Sequence, residues 1–180
     1  MRFRAEIGTV RPLAITALLM ALAAVLGYLE AVALPSLLPV PGFRIGLANI
    51  AVLVALALLG SRSALVVTLG KVFIVGLATG LIASPVAWMS LAGSLAAWGV
   101  MSVLASRGAS FSVVGWSVGG AAAHVLAQLI VASVIIQSWT PLLLTPISIA
   151  SSVVAGLAIG FLARLLLSRL PRTTLAVVGF

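Results

Sequence analysis

Six apolar stretches fill almost the whole chain, and the breaks between them are short and marked by proline, glycine or arginine. Only 7% of the residues are charged and 63% are hydrophobic, whereas a soluble domain is about 25% charged. Too few polar groups remain to cover a water-exposed surface, so the chain is an integral membrane protein. The stretches do not alternate between polar and apolar residues as a β-barrel does. Transmembrane α-helices remain, because they satisfy their own backbone hydrogen bonds in lipid.

The breaks predict an all-α membrane bundle of six helices within residues 12–167, with a polar leader at 1–11 and a basic tail at 168–180. The second helix is short for a full span, which is about 20 residues. A loop with three prolines, residues 35–44, separates it from the first helix. The predicted helices are 12–34, 45–59, 64–83, 86–105, 114–138 and 142–167.

The basic residues predict the orientation of the bundle. Six spans place both termini on one side of the membrane, and eight arginines fall on that side against one, Arg44, on the other. Cytoplasmic loops carry an excess of Lys and Arg, so we expect both termini in the cytoplasm. We also expect the chain in a bacterial cytoplasmic membrane, a location that the charge pattern does not itself determine. The eight are Arg2, Arg4, Arg11, Arg62, Arg107, Arg164, Arg169 and Arg172.

The predicted fifth helix carries the single histidine, His124, with Gln128 four residues later. Residues four apart share one face of a helix, and an imidazole beside a carboxamide is unfavourable against acyl chains. Asn49 of the second helix falls at a similar depth between the bilayer centre and the outer surface. We expect these three residues to line an outward-facing binding site. The alternative is that they form hydrogen bonds that hold helices together.

Three charged residues are further candidates for this site. Glu30 lies near the outer end of the first helix and Arg44 at the outer start of the second, while Lys71 lies deeper, within the third. Charged groups inside a membrane are functional candidates because they are costly to insert. Glu30 and Arg44 could instead form an interfacial ion pair, and Lys71 could extend its side chain to the membrane surface.

Two helices carry stripes of small residues, which allow close helix packing in membranes. On the predicted sixth helix every fourth residue from 148 to 160 is serine or glycine. On the first helix Ala14, Ala17, Ala21 and Ala24 follow a 3-4-3 spacing. Both stripes could pack inside the monomer, and the alanine stripe of the first helix could instead dock on a partner membrane protein.

The sequence lacks the residues that several kinds of catalysis and metal binding require. The chain has no cysteine and no aspartate, and its two acidic residues are Glu6 and Glu30. Magnesium-dependent diphosphate chemistry uses clustered carboxylates. Gly70-Lys71 is followed by valine rather than by the Ser or Thr of a P-loop. We therefore expect no metal site, no cofactor and no catalytic residues. The basic residues stand singly at helix ends and form no basic patch, so we expect no nucleic-acid partner.

Two segments resemble one known family. They are Phe43-Arg-Ile-Gly-Leu-Ala-Asn49-Ile and the segment from Gly115 through His124 to Gln128. Both are similar to the heptaprenyl diphosphate synthase component I family, also called Gx transporters, in which asparagine often follows the histidine where this chain has Val125. The family resembles the substrate-binding S components of energy-coupling factor (ECF) transporters. That resemblance implies a six-helix bundle with an outward-facing pocket, docked through Ala17 and Ala21 on a membrane coupling subunit.

Two functions follow as predictions. The first is a membrane-embedded substrate-binding or transport subunit for a small solute, energised by a coupling subunit and ATPases. The alternative is a non-catalytic membrane component that works with a soluble prenyl diphosphate synthase in isoprenoid biosynthesis. A third possibility is a purely structural membrane scaffold, which would bind no ligand.

Overall fold

The computed structural model describes residues 2–32 and 46–169, with side chains from residue 12 onward except at 109. Throughout these residues the chain is helix and short connections, without a strand. Two 3₁₀ segments, Gly108–Ser110 and Thr140–Leu144, precede the last two helices. The α-helices are α1 (Arg2–Val32), α2 (Asn49–Leu59), α3 (Ser61–Ala78), α4 (Pro85–Ser106), α5 (Val113–Ile135) and α6 (Thr145–Arg169).

Five segments of the described chain are long and apolar enough to cross a membrane. They confirm the predicted membrane bundle. The helix α2 differs, because its 11 residues extend only about 16 Å at 1.5 Å per residue, roughly half of the hydrocarbon thickness. The five segments are Pro12–Val32, Ser61–Ala78, Pro85–Ser106, Val113–Ile135 and Thr140–Arg169.

The short helix α2 is the centre of the bundle. It contacts all five other helices, and eight of its eleven residues are buried, with Leu53 and Val52 among the largest fully buried side chains. A helix that is apolar on every side lies either in a protein core or in lipid, and the burial of α2 by its neighbours places it in the core. The apolar core therefore surrounds α2, and the longer helices form the wall around it.

A single residue, Gly60, connects α2 to α3. Its backbone angles, φ 83° and ψ 179°, lie in a region that is essentially restricted to glycine. The helix α3 consequently begins at Ser61, three residues before the predicted start. The Ser61 hydroxyl donates to Ser102 Oγ at 2.8 Å, and Trp98 Nε1 donates to the Ser61 carbonyl at 2.9 Å. These bonds hold the turn against α4.

Two helices end earlier than the apolar runs predict. The helix α3 stops at Ala78, and Gly80 adopts a φ of 70°. Leu81 N–H bonds to the Gly76 carbonyl at 2.9 Å and Gly80 N–H to that of Leu77 at 3.1 Å, which is the Schellman pattern. The helix α5 ends in the same way at Ile135, with Gln137 at a φ of 51°.

The first helix begins at Arg2, ten residues before the predicted start, and Pro12 lies inside it. A proline removes one backbone donor and favours a kink, but it does not always end a helix. The Thr16 hydroxyl donates to the Pro12 carbonyl at 2.8 Å. Hydropathy detected only the apolar part of this helix.

The small residues of α6 pack inside the monomer. A methyl group on Gly156 would lie 2.9 Å from Val118 Cα of α5, and one on Gly160 would lie 2.8 Å from Val114 Cα. Ser152, one turn earlier, is buried as well. This stripe therefore allows two backbones to approach closely, as small residues do in membrane bundles.

Candidate functional site

A cavity of about 110 Å³ lies inside the bundle, and every helix contributes to its lining. A single water molecule needs roughly 10–15 Å³ on this scale, so the cavity has room for several waters or a small solute. Its polar lining includes one residue from each helix, in order Glu30, Asn49, Lys71, Ser94, His124 and Ser152. Such a site combines apolar walls with a few fixed polar groups, as binding pockets do.

Lys71 of α3 and Asn49 of α2 meet in this cavity. Lys71 Nζ donates to Asn49 Oδ1 at 2.8 Å, and the lysine side chain is 7% exposed. The ammonium group therefore points into the protein, whereas a lysine that reaches for the membrane surface would be exposed at its tip. The amide oxygen of Asn49 partly replaces the water that a buried charge loses.

Glu30 brings a carboxylate to the same cavity from the end of α1. It is 9% exposed, and its Oε1 accepts a hydrogen bond from Gly46 N–H, just before α2. Gly46 has a φ of 75°, which favours glycine. The predicted partner of Glu30, Arg44, lies outside the described residues.

His124 and Gln128 share a face of α5, as their spacing predicts, and that face packs on α4. A methyl group on Gly93 would lie 2.8 Å from Gln128 Cγ and 3.0 Å from the His124 ring. The glycine therefore makes room for both side chains. His124 lines the cavity, whereas Gln128 is not part of the described lining.

The serines of the cavity were not among the predicted site residues. Ser94 is 2% exposed, and its hydroxyl has no hydrogen-bond partner among the residues that the structure describes. Buried polar groups are normally satisfied, so this hydroxyl is suited to a water or a ligand. The available signal was the four-residue spacing of Ser90 and Ser94, which puts both on one face of α4 and in the lining.

Ala17 and Ala21 lie away from the cavity. Both are exposed on α1, as is Ala14, while Ala24 is buried at 7% exposure. Their neighbours Leu18 and Leu22 are exposed too, at 70% and 45%. This face of α1 is therefore available to lipid or to another protein.

The polar lining of the cavity offers hydrogen-bonding groups and charged groups. Within residues 2–32 and 46–169 no three His, Cys, Asp or Glu residues converge as metal ligands. Glu30 and Lys71 bring an acidic and a basic group, and amide, hydroxyl and uncharged imidazole groups can each both donate and accept.

The fold defines a multi-pass α-helical membrane protein with a cavity that has polar residues in its lining. A comparison with protein families identifies the group more closely: the model of the heptaprenyl diphosphate synthase component I family matches residues 19–166. The chain belongs to this family. Comparisons with curated proteins and with solved structures gave no significant match.

Proposed function

We propose that the protein is a membrane-embedded subunit that binds a small polar solute and takes part in its transport. The support is the cavity, whose lining includes at least one polar side chain from each of the six helices. Polar groups at such positions cost free energy to insert and are commonly functional. The chain has no P-loop, so a partner would supply the energy, as the resemblance to S components of ECF transporters implies.

The orientation belongs to the same proposal. The excess of arginine on one side favours cytoplasmic termini and an outward-facing site, and a bacterial cytoplasmic membrane is the proposed location. The chain lacks cysteine, so single cysteines introduced at Arg62 and at Ser138 would report this orientation. A reagent that does not cross the membrane should label only the second in intact cells.

A direct test of binding uses protein purified from its own membrane, with bound small molecules identified by mass spectrometry. We expect a co-purified solute in the wild type and at least a tenfold loss in Asn49→Ala and His124→Ala. Gln128→Ala should have a smaller effect, because Gln128 packs on Gly93 rather than lining the cavity.

Ser106→Ala is a matched control, because its exposed hydroxyl bonds within its own helix. Equal solute occupancy in the wild type and both cavity variants would remove Asn49 and His124 from the site. Absence of any bound solute, also after incubation with cell extract, would refute the proposed binding function.

The family name supports a second candidate, a non-catalytic membrane component beside a soluble prenyl diphosphate synthase. Proteins that co-purify with the tagged chain distinguish the two functions. A membrane coupling protein with ATPases supports transport, whereas a soluble prenyl diphosphate synthase supports the second candidate. In the transport case, Ala17 and Ala21 are the proposed docking residues.

A further inference from the structure

The charged groups that reach the cavity restrict the chemistry of its ligand. Among the described residues only Glu30 and Lys71 bring a formal charge to the lining, and both are less than 10% exposed. With an uncharged imidazole at His124, the formal charges of the described lining sum to zero. The other described basic side chains, those of Arg62, Arg107, Arg164 and Arg169, are exposed and lie outside the lining.

An uncompensated charge in a low-dielectric site is costly. A diphosphate group needs several cationic donors or a metal held by carboxylates. The described lining offers one lysine and one carboxylate, and the carboxylate would repel the phosphate oxygens. A strongly anionic ligand therefore fits this cavity poorly.

A neutral ligand with both kinds of hydrogen-bonding group fits better. Gly46 N–H donates to one oxygen of Glu30. A carboxylate has about four acceptor positions, so Glu30 can accept further hydrogen bonds from a ligand. Asn49 uses its amide oxygen towards Lys71, so its NH₂ group can donate elsewhere. On the α4 wall, the buried Ser94 hydroxyl lacks a partner in the part of the chain that is described.

We infer that the ligand is a small, net-neutral polar solute, either a zwitterion or a polar heterocycle, and not a prenyl diphosphate. Its donor or cationic end binds Glu30, and its acceptor or anionic end binds Lys71 and Asn49. Ser94, whose buried hydroxyl lines the same cavity, supplies a further hydrogen bond. This inference rests on the binding function proposed above.

The test compares probes of different charge on the full chain in lipid nanodiscs. L-alanine, L-histidine, cytosine and thymine are the net-neutral probes, and inorganic diphosphate and farnesyl diphosphate are the anionic ones. We expect at least one neutral probe to bind at least tenfold more tightly than either anion. Its affinity should fall at least tenfold in Glu30→Gln, whose side-chain oxygen can still accept from Gly46 N–H.

The charge of the cavity gives a second readout. Glu30→Gln leaves only the positive charge of Lys71 in the described lining, so the affinity for diphosphate should rise above that of the wild type. Lys71→Gln leaves only the negative charge of Glu30, so the affinity for diphosphate should fall below that of the wild type. Arg62→Gln removes an exposed charge and should change neither affinity. If the two residues were only structural, both variants would weaken every probe alike, which would contradict the inference.

The remaining outcomes separate the inference from the proposed function. Tighter binding of either anionic probe than of all neutral probes to the wild type would overturn the ligand class and leave a binding function standing. Failure of all six probes, together with the absence of a co-purified solute, would overturn both.

Discussion

The small-residue stripes of α1 and α6 have similar spacing in the sequence but opposite environments in the structure. On α6, Gly156 and Gly160 lie against the backbone of α5. On α1, Ala17 and Ala21 face outward beside exposed leucines. Lipid tails and leucine side chains are equally apolar, so hydropathy does not determine which surface packs. A stripe of small residues therefore indicates helix packing only when the atoms that it approaches are known.

The largest effect expected from this comparison is for Gly156→Leu. Its side chain would collide with Val118 Cα and the Ser117 carbonyl of α5, both backbone atoms. Overpacking typically costs about 1–3 kcal/mol, and we expect the upper end of that range because a backbone cannot move aside as a side chain can. The thermal unfolding midpoint in detergent should fall clearly.

Ala158→Leu is the matched control on the same helix, because Ala158 is exposed. Its midpoint should stay close to that of the wild type. A wild-type midpoint for Gly156→Leu would show that α5 and α6 do not pack as closely as the structure indicates.

An intermediate effect is expected for Gly93→Ala on α4. The new methyl group would approach two side chains, Gln128 and His124, at 2.8 and 3.0 Å. Their displacement should cost about 1 kcal/mol, partly offset by the roughly 0.5–1 kcal/mol by which alanine favours a helix. Binding of the solute should suffer more, because the imidazole moves within the cavity.

The measurements for Gly93→Ala are the unfolding midpoint and the amount of co-purified solute. Gly99→Ala serves as control on the same helix, since nothing lies within 4 Å of a methyl group there. Unchanged solute binding in Gly93→Ala would mean that the position of the His124 ring does not matter for the ligand.

The smallest effect on stability is expected for Ala17→Leu and Ala21→Leu. Surface substitutions usually change stability by less than about 0.5 kcal/mol, and both positions are exposed. If this face docks on a coupling subunit, the double variant should lose that partner in co-purification while keeping its solute. Retention of the partner would assign this face to lipid, and Ala158→Leu again provides the control.

Sequence patterns predicted most helices because the apolar runs are long and their breaks contain strong signals. The early ends of α3 and α5 were missed for a local reason. Both helices close through a residue with positive φ, Gly80 and Gln137. In α3 the apolar residues Leu81 and Ile82 follow that point, and in α5 the predicted end at residue 138 lies one residue beyond it. The earlier start of α3 depends on the unusual conformation of Gly60.

The candidate site was predicted only in outline. The free-energy cost of placing polar side chains in a membrane identified Asn49, Lys71 and His124 as unusual residues. It did not predict the hydrogen bond between Lys71 and Asn49. Side-chain direction decided that bond, and it favours a buried role for Lys71 over extension to the surface. Ser94 was missed because hydroxyl groups are common in this chain and most bond within their own helix.

The sequence by itself determined that the chain is a helical membrane protein, since too few polar residues exist for any water-exposed fold. It also determined which side chains are costly in lipid. Only the tertiary structure decided that α2 is the central helix, that one stripe of small residues faces inward, and that Glu30 and Lys71 share a cavity. The reason is that hydrophobicity drives apolar helices into the bilayer, while their mutual arrangement depends on close packing and hydrogen bonds between distant segments.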